Sequence, residues 1–393
     1  MEPMKKRKIA GFTLIEMMVA IAVTMILLYA AVVAFRDASQ SNQVVTQAAD
    51  MTDNLRSALS MIQTDLQQAG SGLPQGGIPI PFTSNNSTTN PCGTTPAIVR
   101  PKLNGTTTFP ACNSTLPAVE PGSNLGPLVT APDAPTGTLN TDEITVMYAD
   151  NLGLDAKPVN AVATTTPPNP GCPNGSLKYS GTTLTVAFDG TTLNSKGGIN
   201  CVNFVKSGIT INVGDLIMFS NINGYALLTV TGVSGQTLTF APGSNDPFGL
   251  NGRTEADGTI QLLENGGASC GGGASCFPPT LATRVWMVSY YLDNVSSPPY
   301  VRLIRQVGLG TATPVGETLE NLQFTYNFVD GSTNPTNQTT VPSGDSESQI
   351  MSVNVYLAAR STYMVHQGSN TAYARNNLTT QVSIRSNAYT NPF

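Results

Sequence analysis

The hydrophobic pattern is densest near the start of the chain. Almost every position in residues 12–35 is apolar, and only Thr13, Glu16 and Thr24 are clearly polar. A run of this length can cross a hydrocarbon layer of about 30 Å as a single helix. The sequence therefore predicts a transmembrane helix over residues 12–35.

After residue 35 the apolar positions fall on one side of the predicted helix instead of on all sides. Over residues 36–69 the apolar side chains recur at steps of three and four, which is typical of an amphipathic helix. No glycine or proline interrupts residues 12–69, so we expect one continuous helix of roughly 87 Å. Gly70-Ser71-Gly72, followed by Pro74, is expected to end it.

From residue 143 onward, apolar and polar positions alternate in short runs separated by turn residues, which predicts strands. The predicted strands are 144–148, 184–188, 213–219, 226–231, 238–240, 284–292, 300–305, 322–328, 350–358 and 379–385. Polar loops are expected at 330–349 and 366–377. Trp286 stands in an alternating run and is interpreted as a core residue.

These patterns predict an α+β fold, with a long N-terminal helix packed on an antiparallel β-sheet head that carries a β-rich insertion. The expected organisation is a leader peptide at 1–11, the helix at 12–70, a loop-rich excursion at 71–140 and a globular head at 141–393. The excursion is rich in Pro, Gly, Thr, Asn and Ser, so no packed core element is expected in it. The insertion, a small β subdomain, is placed at about 151–280.

The residues around the start of the apolar run determine its interpretation. Lys5-Lys6-Arg7-Lys8 precede it, which places the N-terminus on the cytoplasmic side of a membrane. A carboxylate inside a spanning helix costs about 2.5–3.5 kcal/mol, and the helix has no basic residue before Arg36. We therefore expect the charge of Glu16 to be met from outside the helix, or the group to stay protonated.

The stretch Gly11-Phe12-Thr13-Leu14-Ile15-Glu16 resembles the class III signal of type IV pilins and type II secretion pseudopilins. The resemblance implies that a prepilin peptidase cuts after Gly11 and N-methylates Phe12, the new N-terminus. It also implies that Glu16 is the assembly carboxylate, which faces the N-terminal amine of a neighbouring subunit. A buried carboxylate is tolerated when such an ammonium pairs with it. The alternative is a plain signal-anchor helix.

Later segments resemble pieces of PilW-type minor pilins, although less specifically. They are 142–148, 317–326 and 375–385. The helix lacks the proline that many major pilins carry in its first half, and the chain, at 393 residues, is longer than major pilins usually are. Both departures point toward a minor pilin or a pseudopilin.

The cysteine content indicates the compartment of the region that follows the anchor. Six cysteines all follow the predicted anchor, and an even count on the translocated side of the membrane predicts disulfides: Cys92, Cys112, Cys172, Cys201, Cys270 and Cys276. Pairing of sequence neighbours is preferred on proximity alone. No Cys-x-x-Cys is present and the single histidine is His366, so no metal site is expected. The net charge of −5 argues against a specific nucleic-acid partner, because phosphate binding needs clustered cations.

The sequence offers few candidate catalytic residues, so we expect neither an enzyme nor a cofactor. His366 is interpreted as an exposed loop-edge residue without a Gly-x-Ser-x-Gly partner motif. Asp330, Asp345 and Glu347 offer oxygen ligands for calcium, but their spacing does not match the EF-hand loop, and solvated turns are preferred.

The first hypothesis is therefore a minor pilin of a type IV pilus, which primes assembly at the inner membrane and sits at or near the tip. Its partners would be the prepilin peptidase, other minor and major pilins, the inner membrane and a large tip adhesin. Before assembly it would cross the bacterial inner membrane once with the head in the periplasm, and afterwards lie on the cell surface. The alternatives are a J-like minor pseudopilin of a type II secretion system and a tip adhesin that binds through its loop-rich insertion.

Overall fold

A computed structural model describes much of the chain. The described ranges are 13–81, 99–100, 107–108, 115–126, 128–130, 138–149, 177–180, 183–187, 211–234, 237–243, 246–252, 258–263, 281–296, 299–367 and 370–384. The first element is α1, a continuous 55-residue helix over Leu14–Gln68. Thr13 caps its start, Ala69 caps its end, and Gly70 follows with a positive φ of 74°. The predicted unbroken helix and its stop are thus confirmed.

The strands follow α1 in chain order. They are β1 Ile78–Pro79, β2 Val99–Arg100, β3 Thr107–Thr108, β4 Thr115–Leu116, β5 Val119–Gly122, β6 Leu128–Thr130, β7 Thr138–Asn140, β8 Glu143–Ala149, β9 Leu177–Ser180, β10 Thr183–Ala187, β11 Leu216–Asn221, β12 Gly224–Thr229, β13 Gly232–Ser234, β14 Thr237–Phe240, β15 Leu281–Ser296, β16 Pro299–Val307, β17 Thr313–Glu317, β18 Leu319–Phe328, β19 Ile350–Arg360, β20 Val365–Gln367, β21 Asn370–Ala372 and β22 Arg375–Ser383.

The largest sheet is built around the long strand β15. Val285 pairs with both Leu216 of β11 and Ala149 of β8, so these two strands lie on opposite sides of β15. Val288 pairs with both β8 and β16, so β16 lies on the same side as β11. Strands β12, β17 and β5 extend the sheet to seven antiparallel strands.

The other sheets of the described part are smaller and also antiparallel. β18, β19 and β22 form a three-stranded sheet, and β13, β14, β10 and β9 form a four-stranded one. Four two-stranded ladders pair β1 with β4, β2 with β3, β6 with β7 and β20 with β21. The α+β prediction, a long helix with antiparallel sheets, is confirmed.

The main core lies where the second half of α1 meets two sheets. Five helix residues and the capping Ala69 are buried there together with side chains from β8, β15, β18 and β19: Met51, Leu55, Ala58, Ile62, Leu66 and Ala69. The helix comes close to the sheet at Gly316 of β17, where an added Cβ would stand 3.0 Å from the Cβ of Ala58. Glycine at this position therefore lets the helix lie close to the sheet.

Three local expectations were wrong. Within 71–140, β5 pairs with β8 in the large sheet and Val119 is fully buried, so this stretch does contribute a packed core element. The expected polar loop at 366–377 contains part of the β20–β21 hairpin, and His366 lies in a strand. Strand β17 was not predicted. The first and third errors share a cause: both strands contain Pro and Gly, which an edge strand tolerates.

The region assigned to the insertion contributes to two different sheets. β9, β10, β13 and β14 pair among themselves, but β11 and β12 continue the large sheet through β15. An independent subdomain at 151–280 stays a prediction. Trp286 is half-buried rather than fully enclosed: it packs against the main core, and the guanidinium of Arg284 lies 4.1 Å from its ring centroid.

Candidate functional site: the two halves of the N-terminal helix

The start of α1 is a capping box. The carboxylate of Glu16 accepts hydrogen bonds from the backbone N–H of Thr13 at 2.9 Å and from the Thr13 hydroxyl at 3.0 Å. In return the backbone N–H of Glu16 donates to the Thr13 hydroxyl at 3.4 Å. The expectation that only a group outside the helix could meet Glu16 was therefore incomplete, because Thr13 supplies two donors. Both side chains are exposed, so Glu16 remains accessible to a partner.

The other predicted site residues lie outside the described residues. These are Gly11 and Phe12 at the expected cleavage site, together with the cysteines Cys92, Cys112, Cys172, Cys201, Cys270 and Cys276. The cleavage, the N-methylation and the disulfides stay predictions.

The first half of α1 carries a continuous apolar surface that the described part of the chain leaves uncovered. Fifteen large apolar side chains between Leu14 and Phe35 are exposed, Leu14 by 80% and Phe35 by 78%. Burying such side chains is worth about 1.5–3 kcal/mol each, so on the order of 20 kcal/mol or more is available to whatever covers this surface. Within the described residues α1 is the only helix long and apolar enough to span a membrane. This surface, from Leu14 to Phe35, is called the apolar band below.

The second half of α1 is fixed to the head by a buried carboxylate. Asp65 is 5% exposed, and Arg305 of β16 binds it through two nitrogens. The Arg305 Nε lies 2.8 Å from Oδ2, and Nη2 lies 3.2 Å from Oδ1. Such a two-pronged pair is both stronger and more restrictive in geometry than a single contact.

Two tyrosines complete this cluster. Tyr290 of β15 donates its hydroxyl to Asp65 Oδ2 at 2.5 Å, and Tyr148 of β8 donates to Oδ1 at 3.2 Å. Asp65 thus joins the helix to three strands of the large sheet. We call Asp65, Arg305, Tyr148 and Tyr290 the Asp65 cluster.

The environment of the cluster raises the pKa values of its two tyrosines and of Arg305. Burial, and then the negative charge of Asp65, raise the pKa of Tyr148 to about 12 and raise the pKa of Tyr290 further in the same direction. For Arg305, burial acts to lower the pKa, but the hydrogen bonds and charge of Asp65 outweigh it and the pKa is raised. The tyrosines therefore stay protonated donors, and Arg305 stays charged, at physiological pH.

Sequence reasoning missed this cluster, although one signal was present. Asp65 stands three residues after Ile62 and four before Ala69, so it falls on the apolar stripe of the amphipathic helix. An acidic residue on a buried face predicts a cationic or hydroxyl partner. Its main partner, Arg305, is 240 residues away in the chain, and no local pattern identifies it.

Further bonds secure the end of the helix. The Gln63 side chain donates to the Thr380 hydroxyl of β22 at 2.8 Å. The Gly70 N–H donates to the Met147 carbonyl at 2.8 Å, and the Ala149 N–H donates to the Ser71 carbonyl at 2.8 Å. The chain therefore leaves α1 directly along β8, and the helix cannot pivot without breaking sheet-like bonds.

The loop at Asp330, considered above as a calcium site, is a turn whose own N–H and O–H groups donate hydrogen bonds to the Asp330 carboxylate. Asp330 Oδ1 accepts the backbone N–H groups of Ser332, Thr333 and Asn334 at 2.8, 2.9 and 2.8 Å. The hydroxyls of Ser332 and Thr333 donate to Oδ2 at 3.0 and 2.7 Å. These bonds, the Asn334 N–H first, hold the pKa of Asp330 well below its usual range. Among the described residues, no three His, Cys, Asp or Glu side chains cluster as metal ligands would.

Comparison with known proteins adds one match. A family model described as the prokaryotic N-terminal methylation motif matches residues 6–32. No curated protein and no solved structure matches the chain. The match covers Lys6-Arg7-Lys8 of the basic run, the Gly11–Phe12 junction, Glu16 and most of the apolar band.

Motif and geometry together support a membrane-anchored, type IV pilin-like protein, either a pilin or a pseudopilin subunit. Such a signal implies processing by a prepilin peptidase and assembly with other pilins. Proteins with this motif are structural subunits rather than enzymes. The helix provides the corresponding architecture: an apolar band free for assembly and a second half fixed to a large head.

Proposed function

We propose that this protein is a minor pilin of a type IV pilus, which primes assembly at the inner membrane and occupies a position at or near the tip. The observation that carries the proposal is the contrast within α1: the apolar band is wholly exposed, while residues 51–69 are locked into the head. A filament of such subunits can bury the apolar bands together while each head stays intact.

The proposed processing follows the motif. The prepilin peptidase cuts between Gly11 and Phe12, and N-methylated Phe12 becomes the first residue. Thr13 then still caps the helix, and Glu16 still projects from its first turn. A neighbouring subunit's terminal ammonium offers Glu16 a full positive charge, which is worth more in a low-dielectric filament core than the neutral donors of Thr13.

A minor rather than a major role is supported by size and by the helix itself. The head extends over more than three hundred residues (roughly two typical domains), and α1 runs to Gln68 without a proline. By resemblance, major pilins usually have smaller heads, and many have a proline in the first half of the helix. A large head is most easily placed where it has few lateral neighbours, at the end of a filament.

The test uses Glu16→Ala and Glu16→Gln, with Glu317→Ala as the control for an exposed carboxylate of the head. We expect both Glu16 variants to reach the membrane and to be cleaved, but to be missing from sheared filaments. The control should be cleaved and incorporated like the native protein. Normal incorporation of both Glu16 variants would remove the assembly role of Glu16.

A strain that lacks this protein distinguishes a type IV pilus from a type II secretion system. For a minor pilin we expect loss of surface pili and of twitching motility, restored by the native chain and not by Glu16→Ala. Loss of exoprotein release with pili intact would instead assign the protein to a type II secretion pseudopilus.

A further inference from the structure

An exposed pair of side chains lies on the loop between β19 and β20. Tyr363 is 70% exposed and Met364 is 47% exposed, and they are the last residues before β20 begins at Val365. Strand β20 packs against α1, so this loop lies alongside the helix. Single exposed apolar residues are common, and only the position of this pair gives it meaning.

One residue of the pair, Tyr363, shares a groove with the end of the apolar band. Tyr363 lines an open groove of about 470 Å³ against α1. The helix contributes Phe35, Ala38, Ser39, Asn42, Gln43, Thr46 and Gln47 to this groove. Its lower end is therefore Phe35, the last residue of the apolar band, and none of the described side chains that line it is charged.

The lower part of the groove coincides with a lipid–water interface. The interfacial layer on each side of a bilayer is about 5–8 Å thick. Phe35 to Gln47 covers roughly 18 Å at 1.5 Å per residue, so the lower part of the groove falls within that layer when the apolar band spans the hydrocarbon.

We propose that Tyr363 and Met364 insert into the interfacial layer of the same bilayer that holds α1, as a second membrane contact borne by the head. Tyrosine suits this layer because its ring is apolar and its hydroxyl remains hydrated. The contact would fix how the head sits on the membrane before the subunit is extracted. The proposal rests on the membrane anchor of the proposed function and not on filament assembly.

A lipid surface is favoured over a second copy of the chain because the contact is continuous with the apolar band. Whenever residues 14–35 span a bilayer, the headgroup layer necessarily surrounds Phe35, and Tyr363 lines the same groove as Phe35. A second copy would have to be placed there by contacts of its own.

The experiment uses a single fluorescent reporter in the full-length chain. Trp286 is the only tryptophan, so Trp286→Phe gives a silent background into which Tyr363→Trp is introduced. The protein is reconstituted at low density in phosphatidylethanolamine–phosphatidylglycerol vesicles that contain lipids brominated at different depths. Tyr29→Trp, within the apolar band, reports insertion of the anchor, and Ile222→Trp, 88% exposed on the β11–β12 turn, reports a head position away from α1.

We expect quenching of Tyr363→Trp several-fold above that of Ile222→Trp, strongest with bromines near the headgroups, while Tyr29→Trp is quenched best by deeper bromines. Quenching of Tyr29→Trp without quenching of Tyr363→Trp would overturn the head contact and leave the anchor, and with it the proposed function, standing. Absence of both signals would overturn the anchor as well. A blue shift of Tyr363→Trp emission that appears only at high protein density, with no bromine quenching at low density, would assign the loop to a second copy and overturn the proposal.

Discussion

The two halves of α1 share one backbone conformation and have opposite surroundings. Every large apolar side chain from Leu14 to Phe35 is exposed, whereas Leu55, Ile62 and Leu66 are fully buried against two sheets. The first half is apolar on all sides and the second on one side only. The difference shows that the periodicity of hydrophobic residues encodes what covers a helix: a one-sided pattern matches a sheet, and an all-round pattern requires a membrane or a filament core.

Charge divides the halves in the same way. Among the described residues Glu16 is exposed and bound only by Thr13 at the start of its own helix, while Asp65 is buried and bound by three side chains from distant strands. A carboxylate that serves the fold has its partners within the chain. Glu16, although capped by Thr13, stays accessible, as the proposed assembly role requires.

Removing Asp65 is expected to have the largest effect, because this residue fixes the second half of α1 to the head. Asp65→Ala leaves the half-buried guanidinium of Arg305 and two buried tyrosine hydroxyls without their acceptor, so we expect the free energy of unfolding of the head to fall by about 3–5 kcal/mol. Urea unfolding of the full chain in detergent, followed by Trp286 fluorescence, measures it. Asp53→Ala, an exposed position on the same helix, should change the value by less than about 0.5 kcal/mol. Equal effects of the two variants would contradict the role of the Asp65 cluster.

A matched pair of leucines compares packing in the two halves. Leu55→Ala removes a fully buried side chain and should lower the free energy of unfolding by about 2–5 kcal/mol. Leu27→Ala, 65% exposed in the apolar band, should leave head stability unchanged and instead weaken incorporation into filaments. The same urea measurement, with sheared filaments as the second readout, checks both. Loss of head stability in Leu27→Ala would show that the apolar band packs on the head.

Alkaline pH is expected to weaken the attachment of the second half of α1 to the head, by a smaller amount than these substitutions do. The pKa of Tyr148 is raised to about 12 in the folded head, against about 10 for an unfolded tyrosine. Above about pH 10 the unfolded chain therefore loses this proton first, and stability falls as pH rises toward the folded pKa. The stabilising contribution is fully present below about pH 10.

Tyr148→Phe isolates this contribution from the other groups that titrate at high pH. We expect the native chain to be the more stable at neutral pH by about 1 kcal/mol, because the variant loses one hydrogen bond to Asp65. That advantage should shrink between about pH 10 and about pH 12 in urea titrations. An advantage independent of pH would mean that the hydroxyl titrates normally in the folded state.

The sequence predicts those parts of the fold that depend on local periodicity. The helix and the alternating strands were found in this way, and β8 and β18 closely match their predicted positions. The capping box could also have been found, because Thr13-Leu14-Ile15-Glu16 has the Ser/Thr-x-x-Glu spacing that marks a helix start. Interpreting Glu16 only as an assembly residue hid that simpler role.

Other features depend on contacts that local pattern does not contain. β5 and β17 include prolines, and their strand conformation comes from the sheet edges to which they pair. Likewise, Asp65 meets Arg305 only because β16 holds its place beside β15 in the large sheet. Sequence could mark Asp65 as a buried acid, but its partners are a property of the tertiary structure.

The most direct test of the account is the mass and N-terminal sequence of the protein from cells with and without prepilin peptidase. The account predicts a chain that begins with N-methylated Phe12 only when the peptidase is present, and an uncut chain that retains Lys5 to Gly11 when it is absent. A chain that keeps Met1 in both strains, or one cleaved beyond Phe35, would contradict it, because the apolar band would then be a plain anchor or would be lost altogether.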